Sequence, residues 1–262
     1  MTPLHLAVIE NDAKRLSDKD FINKWKDVPD ALGFNPLEIA KFLGKNEAIK
    51  VFGDGPPHLF QVQLQGQTKV LSLSLEDFEK AFEIRYRPFL TFSSYSSLKE
   101  VVNQCPYILR SHSLANDNYE ETKIYQKELD EGKTAPIAIR WIDPVLGYGA
   151  FATEKISEGR FVGEYTGIVR RLFRRHTDSN AYCFHYPTKF WSFKYFTIDS
   201  MLEGNLTRFI NHSSSPNLKP VCLIDKRLLH LVFVSNREIK AGEQLTFDYG
   251  EDYWQKRQMV DL

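Results

Sequence analysis

Asp199 to Asn217 reads DSMLEGNLTRFINHSSSPN, the most specific string in the chain. A Gly-Asn step leads through Arg208, Phe209 and Ile210 to Asn211-His212, and a serine cluster closed by Pro216-Asn217 follows. In isolation Asn-His-Ser is a turn, and His212 is a core histidine satisfied by its neighbours. Two other strings stand on either side of it. Leu146 to Ala152 (LGYGAFA) carries Gly147 and Gly149, where missing side chains let backbone approach a ligand, although hairpins use the same letters. Leu245 to Gly250 (LTFDYG) puts Phe247 and Tyr249 on one side of a strand, because alternate strand residues face the same way.

A Gly-rich bend, then an Asn-His pair, then a tyrosine closing a strand resembles the layout of SET-domain protein lysine methyltransferases. The stretch from Asp199 matches that family's Gly-Asn, Arg-Phe-Ile-Asn-His-Ser and Pro-Asn signature nearly letter for letter, with Ser214 where relatives often have Cys. Glu164 to Gly167 (EYTG) and Asn180 to Tyr186 (NAYCFHY) are similar to two further family strings. The resemblance spans residues 136 to 254.

It implies S-adenosylmethionine as cofactor. Leu146, Gly147, Tyr148 and Gly149 would meet its amino-acid end, while Asn211 and His212 would present amide, imidazole and backbone donors to adenine and ribose. Arg208 would anchor the loop by its fork of donors, and Tyr182 and Trp254 complete the implied cofactor-binding set. The resemblance makes Tyr249 the catalytic tyrosine, with Tyr165 and Tyr182 beside it, and Tyr165 and Phe247 as walls of the lysine channel. It assigns no metal.

A free lysine has a pKa near ~10.4, so an aromatic channel next to a cationic sulfonium must favour the neutral amine. Phe247 lacks a hydroxyl that would restrain the amine, which predicts a di- or trimethyl product. The substrate peptide is expected to add as a strand to an open sheet edge.

Two family features are missing: the cysteine-rich segment before the domain, and the zinc-binding cysteine cluster after the tyrosine. GEDYWQKRQ follows instead, where Trp254 either closes the channel by stacking or is a buried core residue.

At the start of the chain, Thr2 to Ala7 (TPLHLA) and Asn35 to Ala40 (NPLEIA) place Pro3 and Pro36 33 positions apart. That offset and the first hexamer resemble ankyrin repeats, with Asp12 to Arg15 and Asn46 to Val51 as return helices. Two units are few for a stable stack, so the resemblance implies docking on the rest of the protein or the end of a longer array. The plain alternative is two helical hairpins with coincidental proline spacing.

Gly53 to Pro57 (GDGPP) reads as a boundary. Beyond it, Phe60 to Leu64 and Leu71 to Leu75 alternate as a strand pair, Asp77 to Arg85 and Ser97 to Gln104 read as helices, and Asp117 to Glu131 reads as a charged, solvated connector. Short β-branched or aromatic runs then predict strands at Ile137–Trp141, Phe161–Tyr165, Ala181–Tyr186, Tyr195–Asp199, Lys219–Ile224, Leu228–Ser235 and Gln244–Phe247. There is no βαβ rhythm and no GxGxxG, which disfavours a Rossmann-type methyltransferase.

The predicted class is α+β: a β-rich SET domain of short twisted sheets with a knot-like C-terminal substructure, behind a helical ankyrin-like region. The expected divisions are 1–52 ankyrin-like, 53–135 of unassigned role, 136–250 catalytic, and 251–262 a segment without a zinc cluster.

The chain has 262 residues, 42% of them hydrophobic, and 34 basic side chains balance 34 acidic ones, so no global field draws it to nucleic acid or membrane. The local exception is Arg170, Arg171, Arg174, Arg175 and His176, spaced to line one side of a helix around Leu172 and Phe173. A solvated helix face is favoured there over a patch for an acidic partner such as nucleosomal phosphate. Cys105, Cys183 and Cys222 lie far apart, with no zinc spacing and an odd count, which points to a reducing, intracellular compartment. The opening MTPLHLAVIEND has no secretory pattern, and nowhere do about 18 apolar residues run together.

The leading expectation is methylation of protein lysines, histone tails first, in the nucleus as a chromatin regulator, with a further protein partner at the ankyrin-like region. The alternatives are a non-histone target, for example of a bacterial effector working in a host nucleus, and a non-catalytic module that binds lysine-bearing peptides.

Overall fold

Two helices start by the same device. Thr2 caps α1 (Pro3–Glu10) and Asn35 caps α4 (Pro36–Phe42); each has proline in the first turn and a reciprocal capping box. Such caps contribute about 1 kcal/mol each. Between them lie α2 (Ala13–Leu16) and α3 (Lys19–Trp25), and α5 (Asn46–Val51) follows α4. His5 joins the two units: Thr2 N donates to its Nδ1 at 3.1 Å, and its Nε2 lies 2.9 Å from Phe34 O. Burial pushes His5 below its ordinary pKa, partly offset by the Phe34 carbonyl, Asp30 and Glu38.

This computed structural model describes residues 1–53, 59–104, 112–172, 180–187 and 195–254; side chains at 112–119, 121 and 252 are not described. Most of the GDGPP boundary, Cys105, and Phe173 with Arg174, Arg175 and His176 lie outside the described residues.

Strands β1 (Phe60–Gln63) and β2 (Leu71–Leu73) pair antiparallel. Leu75 belongs to α6 (Leu75–Phe82) rather than to the strand, because Ser74 caps the helix by accepting from Asp77 N at 3.2 Å. Arg85 falls in the short β3 (Arg85–Tyr86), outside the helix expected there. Next come α7 (Tyr95–Asn103) and α8 (His112–Glu131). Helix α8 is more than a solvated connector: Leu129 is buried with Leu223, Val232 and Val234, Tyr125 packs against them, and Thr122 Oγ1 accepts from Ile224 N at 3.0 Å.

The second half supplies β4 (Ile137–Asp143), β5 (Gly147–Ala152), β6 (Phe161–Glu164), β7 (Ile168–Leu172), β8 (Cys183–Tyr186), β9 (Tyr195–Asp199) and β10 (Glu203–Gly204). A 3-10 turn at Leu206–Phe209 leads into β11 (Asn211–His212), then β12 (Leu218–Asp225), β13 (Leu228–Ser235), β14 (Thr246–Phe247) and α9 (Glu251–Trp254).

The sheet orders are β2-β1-β4-β5, β12-β13-β6 and β7-β9-β8, with two short pairs, β10-β3 and β11-β14. Residues 60–73 therefore extend the sheet that carries the Gly-rich string, since β1 pairs in parallel with β4. Arg170 and Arg171 lie on β7, where five residues pair with β9, so the helix expected around Leu172 does not form there. Arg170 Nε instead reaches Asp199 Oδ2 at 2.7 Å.

One apolar core runs from Leu4 and Ile39 through Phe60 and Phe78 to Phe233 and Leu245, so the N-terminal helices and the β-rich half share an interior. Among the described residues no helix is long and apolar enough to cross a membrane.

Candidate active site

Parallel pairing of β11 with β14 sets Asn211 opposite Thr246 and His212 opposite Phe247, which brings the Asn-His string against the C-terminal string. Just past this pair, Tyr249 N donates to His212 Nδ1 at 3.2 Å, and Tyr249 Oη donates to Ile210 O at 2.9 Å. The Gly-rich string joins from β5: Asn211 Nδ2 donates to Tyr148 O at 3.2 Å, and Leu245 N to Ala150 O at 2.8 Å. Three segments far apart in sequence are thus bonded directly. The fourth string is tied in by Glu164 O, which accepts from Asn205 Nδ2 at 2.9 Å and Thr207 Oγ1 at 3.1 Å.

These segments enclose a cavity of about 610 Å³ whose wall includes Leu146, Gly147, Tyr148, Tyr165, Tyr182, Arg208, Asn211, His212, Phe247, Tyr249 and Trp254. Gly147 turns into it with φ 71, and beyond its chain neighbours no atom of the described residues lies within 4 Å of where a side chain would begin. Gly149 stands back from the wall. A Cβ there would come within 2.7 Å of Ile142, 2.9 Å of the Gln244 amide and 3.2 Å of the Asn211 amide, so its missing side chain makes room for these three side chains.

The ring wall is continuous. Phe247, 6% exposed, lies 4.7 Å from Phe233 and 4.7 Å from Tyr249; Phe184 links it to Tyr165. Trp254 lies nearly parallel to Tyr249 at 5.9 Å and edge-on to His212 at 4.9 Å, with Tyr253 4.6 Å from Tyr249. Tyr165 Oη donates to Tyr182 O at 2.8 Å and so fixes the start of β8. Arg208 spends its donors on Ser200 O and Met201 O, and its guanidinium lies 4.2 Å from the Tyr182 ring centre.

Burial raises the pKa of the Tyr249 and Tyr165 phenols. For Tyr249, Tyr253 and Tyr182 add to the effect; for Tyr165, Tyr249 adds and Arg208 opposes. Both are therefore neutral hydrogen-bonding groups over the whole physiological range. Burial also lowers Arg208, against smaller opposing effects of Tyr182 and Tyr165.

Sequence reasoning did not find Ala81, Phe82 and Glu83, which also line the cavity. Phe82 lies 4.9 Å from the rings of both Tyr148 and Phe209. The one available signal was the Phe78–Phe82 spacing, which puts two rings on one helix face.

The cavity fits a nucleoside cofactor. Its volume lies within the range of about 300–1,000 Å³ usual for such sites. Gly147 leaves a cradle that a side chain would fill, and the buried Trp254 Nε1 donor has no hydrogen-bond partner among the described residues.

Residues 147–250, which supply most of this cavity, match the SET domain family model. Histone-lysine N-methyltransferase EHMT1 of Homo sapiens is 38% identical over 114 residues, covering 42% of this chain and 9% of the relative. Histone-lysine N-methyltransferase Su(var)3-9 of Drosophila melanogaster is 34% identical over 132 residues, covering 46% of this chain and 21% of the relative. A crystal structure of ATXR5 in complex with histone H3.1 superposes with a TM-score of 0.52 at 19% identity, over 68% of this chain and 86% of that one; it supports the fold alone. The chain spans between 8% and 32% of the lengths of these and similar curated relatives.

Proposed function

We propose that this protein transfers methyl groups from S-adenosylmethionine to lysine side chains of proteins, with histone tails the first substrate class to test. The observation that carries this reading is the single cavity on which Tyr249, Phe247, Asn211, His212 and the Gly147 cradle converge. The identity to histone-lysine methyltransferases across the same segment supports it.

When bound, S-adenosylmethionine supplies an activated methyl on a sulfonium. The protein's own part is alignment and desolvation. The Tyr165, Phe247 and Tyr249 rings form an apolar passage that disfavours a charged ammonium, so the lysine enters as the neutral amine. The neutral Tyr249 hydroxyl, held by Ile210 O, orients the nitrogen lone pair. Trp254, stacked on Tyr249, closes the end where other family members place a zinc cluster. Methylated amines remain cationic and are tolerated by the ring faces. The N-terminal pair of capped helices, residues 1–52, is read as an ankyrin-like unit that docks on the catalytic half and offers a partner surface. The three scattered cysteines support a reducing intracellular compartment, and a chromatin substrate would place the protein in the nucleus.

Incubation of the protein with labelled methyl donor and a panel of histones and cell lysate tests the activity; no incorporation into any protein despite cofactor binding would favour a peptide-binding module instead. Product state tests Phe247. Phe247→Tyr introduces a hydroxyl beside Tyr249 and Phe233, where it would hold a water and restrain the amine. The expected result is a fall of about tenfold in the rate of the second and third transfers, the barrier change one added hydrogen bond supplies. Mass spectra of the wild-type product that stop at monomethyl-lysine would remove the di- or trimethyl reading.

A further inference from the structure

Glu83 is the only acidic side chain among the described residues that line the cavity, and it comes from α6, in the part of the chain whose role the sequence left open. It is exposed, and neither a hydrogen bond nor an ion pair engages its carboxylate among the described residues. The other permanent charge in the wall, Arg208, is already committed to two carbonyls and the Tyr182 ring. The wall therefore offers a bound molecule one uncommitted charge, and it is negative.

The position of Glu83 narrows what that charge can meet. Phe82, its neighbour, sits against Tyr148 and Phe209, beside the open Gly147 turn. Tyr249 belongs to a different ring group, with Phe247, Tyr253, Trp254 and His212. A methyl-donating sulfonium has to lie by Tyr249, so it is not the partner of a carboxylate on the Tyr148 side. The remaining cation of S-adenosylmethionine is the α-ammonium of its amino-acid end. Glu83 also ends α6 in the left-handed region, φ 52, where Gly or Asn is the ordinary helix stop, so the residue is poorly suited to the cap it occupies.

We infer that Glu83 recognises the α-ammonium of the cofactor's amino-acid end, which makes α6 a working part of the cofactor site. This rests on the proposed methyltransferase reading and goes beyond it by assigning a ligand group to the region before the SET domain.

Calorimetric titration of the full chain with S-adenosylhomocysteine, and with its deaminated analogue in which hydrogen replaces the α-amino group, tests the assignment. In Glu83→Gln the Kd for S-adenosylhomocysteine should rise about fivefold, as expected for a partly solvated charge pair, while that for the deaminated analogue stays the same. Glu83→Gly should show the same selective loss with an unchanged or higher Tm, since glycine suits φ 52 and a merely structural Glu83 would lose stability and affinity together. Equal weakening of both ligands, or no weakening of either, overturns the inference and leaves the methyltransferase reading standing. A wild-type protein that binds neither ligand overturns both.

Discussion

Tyr249→Phe is expected to lower kcat by about 10²-fold or more, the loss usual when one aligned polar group is removed from a reacting centre. Binding of S-adenosylhomocysteine should be nearly unchanged. The separation follows from what the substitution leaves in place. The ring keeps its neighbours, Phe247 at 4.7 Å, Tyr253 at 4.6 Å and Trp254 at 5.9 Å, and the backbone N–H still reaches His212. What disappears is one hydroxyl and its bond to Ile210 O, a neutral hydrogen bond with a net contribution of about 1 kcal/mol to stability.

A second readout comes from pH. Burial holds the Tyr249 phenol above its ordinary value of 10.0, so raising pH deprotonates the substrate lysine well before it touches the tyrosine. The wild-type rate should climb from neutral pH toward pH 10 with no descending limb below it. Full activity in Tyr249→Phe, or a descending limb near pH 9, would show that the hydroxyl has another task.

The site was legible where letters encode backbone demands. Gly147 needs φ 71, and the parallel pairing of Asn211-His212 with Thr246-Phe247 follows two strings that each had a recognisable form. Phe247 and Tyr249 were expected to share a face, and their rings do meet. What stayed hidden is tertiary. Phe82 reaches the cavity only because Tyr148 and Phe209 fold against it, and nothing within LEDFEKAF states that. Gly149 looked like a second ligand-facing glycine, yet its missing side chain makes room for Ile142, Gln244 and Asn211. Arginines at helical spacing around Leu172 suggested a helix face; strand pairing with β9 and the Arg170–Asp199 ion pair outweigh a local charge pattern. Helix α8 reads as charged along its length, and the few residues that bury against β12 carry too little signal to stand out.

The largest stability effect is expected at a pair no motif announced. Glu164 and His230 face each other across β6 and β13, with Oε1 2.6 Å from Nδ1 and side chains only 5% and 9% exposed. Removing one partner of a buried pair strands the other, at a cost of about 3–5 kcal/mol. The two deletions differ, however. In Glu164→Ala the imidazole can shed its proton and become a neutral buried group, whereas in His230→Ala a buried carboxylate loses the partner that faces it. Urea unfolding at pH 8 should therefore show His230→Ala as the less stable variant.

Burial alone would lower the pKa of His230, but Glu164, by charge and hydrogen bond, with Asp225 and Asp130, outweighs it and raises the value above 6.5. Of the nearby cations, Lys226 pairs with Glu38, and Lys41 donates to Asp130 O. A raised folded value means the stabilisation is complete below pH 6.5 and fades as pH climbs through the folded pKa. Wild-type stability should decline on that alkaline side, and Glu164→Gln, which keeps an acceptor but not the charge, should flatten the decline. An identical slope in both proteins would mean that the pair is not the titrating unit. The consequence reaches the cavity through the next residue: Tyr165 N donates to Leu231 O at 2.7 Å and its hydroxyl to Tyr182 O, so loosening Glu164 should disturb the lysine passage before the cofactor cradle, raising KM for the peptide ahead of Kd for S-adenosylhomocysteine.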